Sequence, residues 1–240
     1  MPDNDPPGRD APASTVRGRT APAAAGAGEG ERYTQAFIAE SIEILRAVPP
    51  ADVDAVVALI RTVRERGGRL FVCGSGGGAA HASHATCDFR RLAGLEAYCP
   101  SDNTAELTAR VNDEGWDVAY ANWLLGSRIN GKDCLLVFSV GGGDVERNVS
   151  PNLVRAMQAA RAAGAAITGI VGRTGGAVRE MADCCIVVPT INPANVTAQV
   201  EAMQAVYWHL VVTHPALVVS TPLWESLDPA TAGSVVTLPS

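Results

Sequence analysis

Five short, largely apolar runs separated by longer stretches with helical spacing constrain the fold of this 240-residue chain more than any other feature. The runs fall at 70–73, 97–99, 134–138, 167–171 and 184–188. Helical spacing is expected at about 78–93, 115–126, 151–163, 175–182 and 195–213. A run that is apolar at every position suits a strand covered on both faces, and a helix between two strands supplies the crossover that parallel pairing requires. The expected fold is therefore α/β: a doubly wound, five-stranded parallel sheet flanked by helices, a three-layer sandwich of flavodoxin or Rossmann type. Two further helical periods come first. One carries Phe37, Ile38, Ile42 and Leu45; the other carries Val53, Val56, Val57, Ile60 and Val63 and is closed by Gly67-Gly68.

Composition removes several functions. The formal net charge is −6, and no cluster of cations offers the phosphate-facing patch on which nucleic-acid affinity depends, so no nucleic-acid partner is expected. Of the 19 cations only Lys132 is a lysine, and it sits in a polar Asn130-Gly131-Lys132-Asp133 turn, which argues against Schiff-base chemistry. The six cysteines show no C-x-x-C spacing and read as small buried residues of a reducing, cytoplasmic compartment. No apolar run approaches the roughly 18 residues of a membrane span, so no membrane partner is expected. Residues 1–30 hold five Pro, five Gly and seven Ala and read as a disordered tail. The folded domain is expected at 31–215, with a C-terminal extension at 216–240.

Sheets of this class bind ligands beyond the carboxyl ends of their strands. The first strand ends in Gly74-Ser75-Gly76-Gly77-Gly78 and runs straight into a helix, which lets backbone N–H groups face an anion. The third ends in Ser139-Val140-Gly141-Gly142-Gly143, and Ser150-Pro151-Asn152 opens the following helix. Two such loops in one sheet point to a small phosphorylated ligand held by hydroxyls and amides, although glycines also serve simply to make tight turns. The first loop, with Asp102 after the second strand, loosely matches a dinucleotide fingerprint, a weak signal for a nicotinamide cofactor.

Two helices carry titratable groups. His84 and Asp88 are four residues apart, on one face, where they can share a metal ion or a proton or simply decorate a surface. His81 lies on the same side. In the last helix Val196, Val200, Met203, Val206, Tyr207 and Leu210 form the stripe expected to cover the sheet. The opposite side offers Glu201, Ala205, Trp208, His209 and Val212, too apolar for a solvated face, and is expected to pack against another subunit. Glu201 and His209 then need partners there. Converging with His84 and Asp88, they would make a reasonable zinc set.

Taken in order, these features resemble the sugar isomerase (SIS) family and, within it, the phosphoheptose isomerases. The resemblance rests on Phe71 to Gly77, His84 with Asp88, Ser101-Asp102-Asn103, Asn112-Asp113, Val137-Phe138-Ser139, Ser150-Pro151-Asn152, Gly169 to Gly172, Asp183 to Pro189, and Glu201 with His209. It spans about 35–215. It implies a homotetramer with active sites between subunits that interconverts sedoheptulose 7-phosphate and D-glycero-D-manno-heptose 7-phosphate. Carried over by position, the resemblance makes Asp88 the base, His209 the acid, and His84, Asp88, Glu201 and His209 a zinc-binding set. Substrate binding falls to Ser75, Gly76, Gly77, Asp102, Asn112, Ser139, Gly141, Gly142 and Ser150.

Four positions depart from the family pattern. Asp88 replaces a longer glutamate, and Glu201 replaces a glutamine. Gly78 stands where a phosphate-binding serine is usual, and the loop from Ser139 to Ser150 is drawn out, with Gly141 in place of its middle serine. Arg147 and Asn148 in that loop either supply phosphate contacts or are merely solvated. A non-catalytic phosphosugar sensor or assembly module of the same family would need the two loops without the acid and base.

Overall fold

The computed structural model describes residues 27–220. Residues 1–26 of the expected tail and 221–240 of the expected extension lie outside the described residues. The chain divides at Ala36 into two compact units. The first includes the opening turns of α1 (Ala27–Ala47), so residues 27–30, expected as tail, are helical. The second, from Phe37 on, carries everything below.

Its elements run α2 (Pro50–Glu65), β1 (Arg69–Gly74), α3 (Gly77–Leu92), β2 (Glu96–Tyr98), α4 (Thr104–Glu114), α5 (Trp116–Gly126), β3 (Cys134–Ser139), α6 (Pro151–Ala162), β4 (Ala166–Gly172), α7 (Gly176–Met181), β5 (Cys184–Val188) and α8 (Val196–Val212). The five strands form one parallel sheet in the order β2-β1-β3-β4-β5. Pleating sends alternate side chains to opposite faces. Leu70, Val72, Leu136 and Phe138 join a core with α2, α3 and α8. Phe71, Cys73, Leu135 and Val137 join another with α5, α6 and α7. The central strands β1, β3 and β4 are thus covered on both faces, which explains their nearly continuous apolar sequence, whereas the edge strand β2 leaves Glu96 and Tyr98 exposed. Three of the cysteines, Cys73, Cys99 and Cys134, are buried, and all six are free thiols.

Four features differ from the sequence reading. Helix α4 was not foreseen, because none of its residues is buried and it therefore shows no apolar stripe. It is held by local chemistry instead: Asn103 accepts from the Glu106 N–H, and Arg110 pairs with both Glu106 and Glu114. In α8 the two expected faces are partly exchanged. Trp208 and Val212 are buried within their own chain, whereas Val206 and Leu210 are exposed. The helix is apolar almost all round, so its period gives little direction. In α1, Ile38, Ile42 and Leu45 face outward, while Ile44 and the following Val48 are buried. Leu217, beyond the expected boundary at 215, belongs to the core, and Val219 N–H donates to the Leu92 carbonyl.

At the amino-terminal edge of the sheet Asp133 is 1% exposed. Its carboxylate accepts from the Arg69 backbone N–H at 2.9 Å and Arg69 Nη2 at 2.8 Å, and from Asn130 N and Nδ2 at 2.9 and 3.0 Å. Because Arg69 opens β1 and Asp133 precedes β3, this ion pair fixes where the two central strands begin to pair. Removing one partner of such a pair strands the other and leaves several donors unmet. Asp133→Ala is expected to lower unfolding free energy by about 3 kcal/mol in denaturant titration, and Asp133→Asn by less, because it retains acceptors for part of the network.

Candidate active site

The strand order reverses between β1 and β3, and both strands end level, with Gly74 opposite Phe138. Such a switch point opens a crevice at the carboxyl ends. On the β1 side, Ser75 is half-buried and Gly76 caps α3 with φ of 59°. A Cβ at Gly74 would lie 2.2 Å from the Gly78 carbonyl oxygen, so only glycine permits this turn. The Tyr120 hydroxyl donates to the Gly74 carbonyl at 2.9 Å, and burial pushes that phenol well up, keeping it a donor.

On the β3 side, Ser139 Oγ accepts from the Gly142 N–H at 3.0 Å, and Ser150 caps α6 in a left-handed conformation without a side-chain cap hydrogen bond. The hydroxyl of Ser150 therefore remains available at the mouth of the crevice. Gly142 has a further duty. Its carbonyl and that of Gly143 accept from Val178 and Ala177 at the start of α7, and a Cβ at Gly142 would stand 1.8 Å from the Gly175 carbonyl oxygen. Gly141 is different, since a Cβ there would meet nothing closer than Arg173 Cδ at 4.0 Å. The drawn-out segment closes on itself through paired Asp144 and Val149. Arg147 is exposed at its tip and lies 3.8 Å from Asp144, which matches its solvated reading.

Beside this crevice, α3 and α8 bring three titratable side chains together. His84 Nε2 lies 3.8 Å and His209 Nε2 4.0 Å from Asp88 Oδ2. One ligand atom from each of the three falls within 4.8 Å of the others. Their exposures are unequal: the Asp88 side chain is 19% accessible, His209 47% and His84 61%. Trp208 sets both imidazoles, stacking on His209 and meeting His84 edge-on at 4.8 Å. His209 Nδ1 bonds the Ala205 carbonyl at 2.6 Å, which leaves Nε2 directed at Asp88. Sequence reasoning placed Trp208 on the subunit-facing side and missed this role. Its four-residue offset from Gln204 and its neighbour His209 gave no sign of which way it turned.

Glu201 is not part of the triplet. Its carboxylate rests against Gly77, within 2.7 Å of where a Cβ would be. It also faces His81, whose imidazole burial pushes below the usual range while Glu201 opposes the shift. Two of the expected sugar contacts lie elsewhere in the protomer. Asp102 lines an open cleft of about 570 Å³ with Ser83, Thr86, Arg90, Tyr98 and Glu106, a cleft that excludes His84, Asp88 and His209. Asn112 is exposed on α4, its amide donating to Asp113 at 2.7 Å.

Two imidazole nitrogens and a carboxylate oxygen converging in this way suit a divalent ion such as zinc, and three protein ligands leave a position open for substrate. The anchored Nδ1 of His209 strengthens the fit, because ligating histidines normally donate their other ring N–H to a carbonyl or carboxylate. The same cluster can exchange protons with a ligand lying across the crevice.

The SIS domain family matches residues 35–172. A phosphoheptose isomerase of Roseiflexus sp. is 33% identical over 167 residues, covering 66% of this chain and 81% of that protein. The phosphoheptose isomerase of Rhodospirillum rubrum is 31% identical, covering 67% and 82%. Among solved structures, a phosphoheptose isomerase from Francisella tularensis superposes with a TM-score of 0.65 at 23% identity, covering 78% of this chain and 98% of that one. One from Neisseria gonorrhoeae gives 0.65 at 24% identity, covering 76% and 96%.

The two glycines of the β3 loop should separate cleanly on substitution. Gly142→Ala, which must both hold φ of 77° and push into the Gly175 backbone, is expected to cost about 3 kcal/mol or more in stability. Gly141→Ala should stay within about 1 kcal/mol of the parent protein. Equal melting temperatures for the two variants would contradict the stapling of this loop onto α7.

Proposed function

The chain belongs to the SIS-domain family, and from that premise we propose that it is an aldose–ketose isomerase of phosphorylated sugars, interconverting sedoheptulose 7-phosphate and D-glycero-D-manno-heptose 7-phosphate. The observation that carries this reading is the meeting of Asp88, His84 and His209 from two helices beside two serine- and glycine-bearing loops.

Isomerisation moves a proton between C1 and C2 through an enediol and shifts another between the two oxygens. Asp88, the most sheltered of the three groups, is placed to take the carbon proton and return it to the neighbouring carbon. His209, with Nδ1 fixed on Ala205, presents Nε2 to exchange a proton with the sugar oxygens. The hydroxyls of Ser75, Ser139 and Ser150 and the backbone of Gly76, Gly77, Gly141 and Gly142 hold the phosphate. This binding, remote from the reacting carbons, positions them. A zinc ion held by His84, Asp88 and His209 would polarise the sugar oxygens as a Lewis acid, and Glu201, whose carboxylate lies on Gly77, stands outside that set. Since Nε2 is the open nitrogen of His209, it would be a ligand with the metal bound and a proton carrier without it.

In this reading the working form is a cytoplasmic homotetramer with sites between subunits. Its contacts would cover the outward Ile38, Ile42 and Leu45 of α1 and the exposed Val206 and Leu210 of α8 beside His209. Asp102, in a cleft that the triplet does not line, and Asn112, exposed on α4, would then serve a neighbour's site.

Incubation with a panel of ketose phosphates, followed by detection of the matching aldose, tests the activity. Asp88→Asn is expected to lower turnover by about 10²- to 10⁴-fold while sugar phosphate affinity stays within about tenfold. Wild-type turnover by that variant would remove Asp88 as the base. A phosphosugar sensor would bind the sugar with no turnover in the parent protein. Elemental analysis provides a separate check: His84→Ala should lose most of the zinc load, and an unchanged load would exclude His84 from the metal set.

A further inference from the structure

The two loops of the crevice are joined by the side chain of Asn152. Asn152, in the first turn of α6, is 1% exposed and donates from Nδ2 to Ser75 Oγ at 2.9 Å, across 77 positions of sequence. Its Oδ1 is buried and has no hydrogen-bond partner. A buried orphan acceptor costs stability, and such groups persist where they serve function. The contact also has a direction. By accepting from Asn152, the Ser75 oxygen has one lone pair occupied, so its own proton is free to be donated elsewhere. Ser75 is half-buried at the crevice, between the Tyr120-anchored Gly74 and the start of α3.

Building on the phosphosugar reading above, we infer that Asn152 is a positioning residue: it locks the β1 loop to the α6 start and orients the Ser75 hydroxyl to donate to the bound sugar phosphate. Its effect is exerted through Ser75. A side chain that merely filled the core would act on affinity whether or not that hydroxyl were present.

A double-mutant cycle on the full-length protein decides the matter, with sedoheptulose 7-phosphate binding read by calorimetry and turnover read in parallel. Ser75→Ala and Asn152→Ala should each weaken binding about five- to tenfold, the loss of one hydrogen bond. The double variant should be no weaker than Ser75→Ala alone. Independent losses that multiply in the double variant would overturn the inference. Asn152→Asp, an acceptor-only side chain near in shape and favoured at a helix N-terminus, provides a second cycle should the alanine variant not fold. Its loss should shrink by the same coupling factor in the Ser75→Ala background. Coupled binding without turnover in the parent protein would sink the isomerase reading and support this one, and absence of binding by the parent protein would overturn both.

Discussion

The parallel pairing of β1 with β3 governs the rest of the molecule. These strands are adjacent in space but separated by α3, β2, α4 and α5 in sequence, and their register runs from Leu70 opposite Cys134 to Gly74 opposite Phe138. A one-residue slip would send every side chain of β1 to the wrong face of the sheet. It would also set the two glycine loops at different heights, separating Ser75 from Asn152. The buried Asp133 at one end and the Asn152 to Ser75 contact at the other hold the same register from both sides.

Much of this was legible because the strands are buried on both faces. Their largely apolar runs, set against helices of ordinary period, gave all five strands, their parallel arrangement and the two glycine-bearing loops at the strand ends. What the sequence could not show follows from the same physics. Helix α4 covers no core and so leaves no stripe to read; its evidence is a cap at Asn103 and charge pairs through Arg110. Helix α8 is apolar nearly all round, so spacing alone could not tell that Trp208 turns inward while Val206 and Leu210 turn outward.

The site divides in the same way. His84 and Asp88 are legible as a pair because helical spacing fixes their separation, and His209 because it sits on a face of the last helix too apolar to be solvated, where a polar group needs partners. Glu201 shows the limit of positional transfer. It lies two turns from His209 on α8, yet its carboxylate rests on the Gly77 backbone beside His81 rather than with the other three. Gly141 and Gly142 look equivalent in sequence and differ in the fold, one beside open space and one wedged against Gly175. Only tertiary contact distinguishes a glycine that is required from one that is convenient.

The segment from Asp144 to Val149 is closed by two mutual backbone hydrogen bonds of 3.0 Å between its ends. Chain enters and leaves it at nearly the same point, so its length is decoupled from the position of Ser150. Such a loop can change length or composition without displacing the glycine-bearing turn behind it, and it already carries the exposed Val145 and Val149.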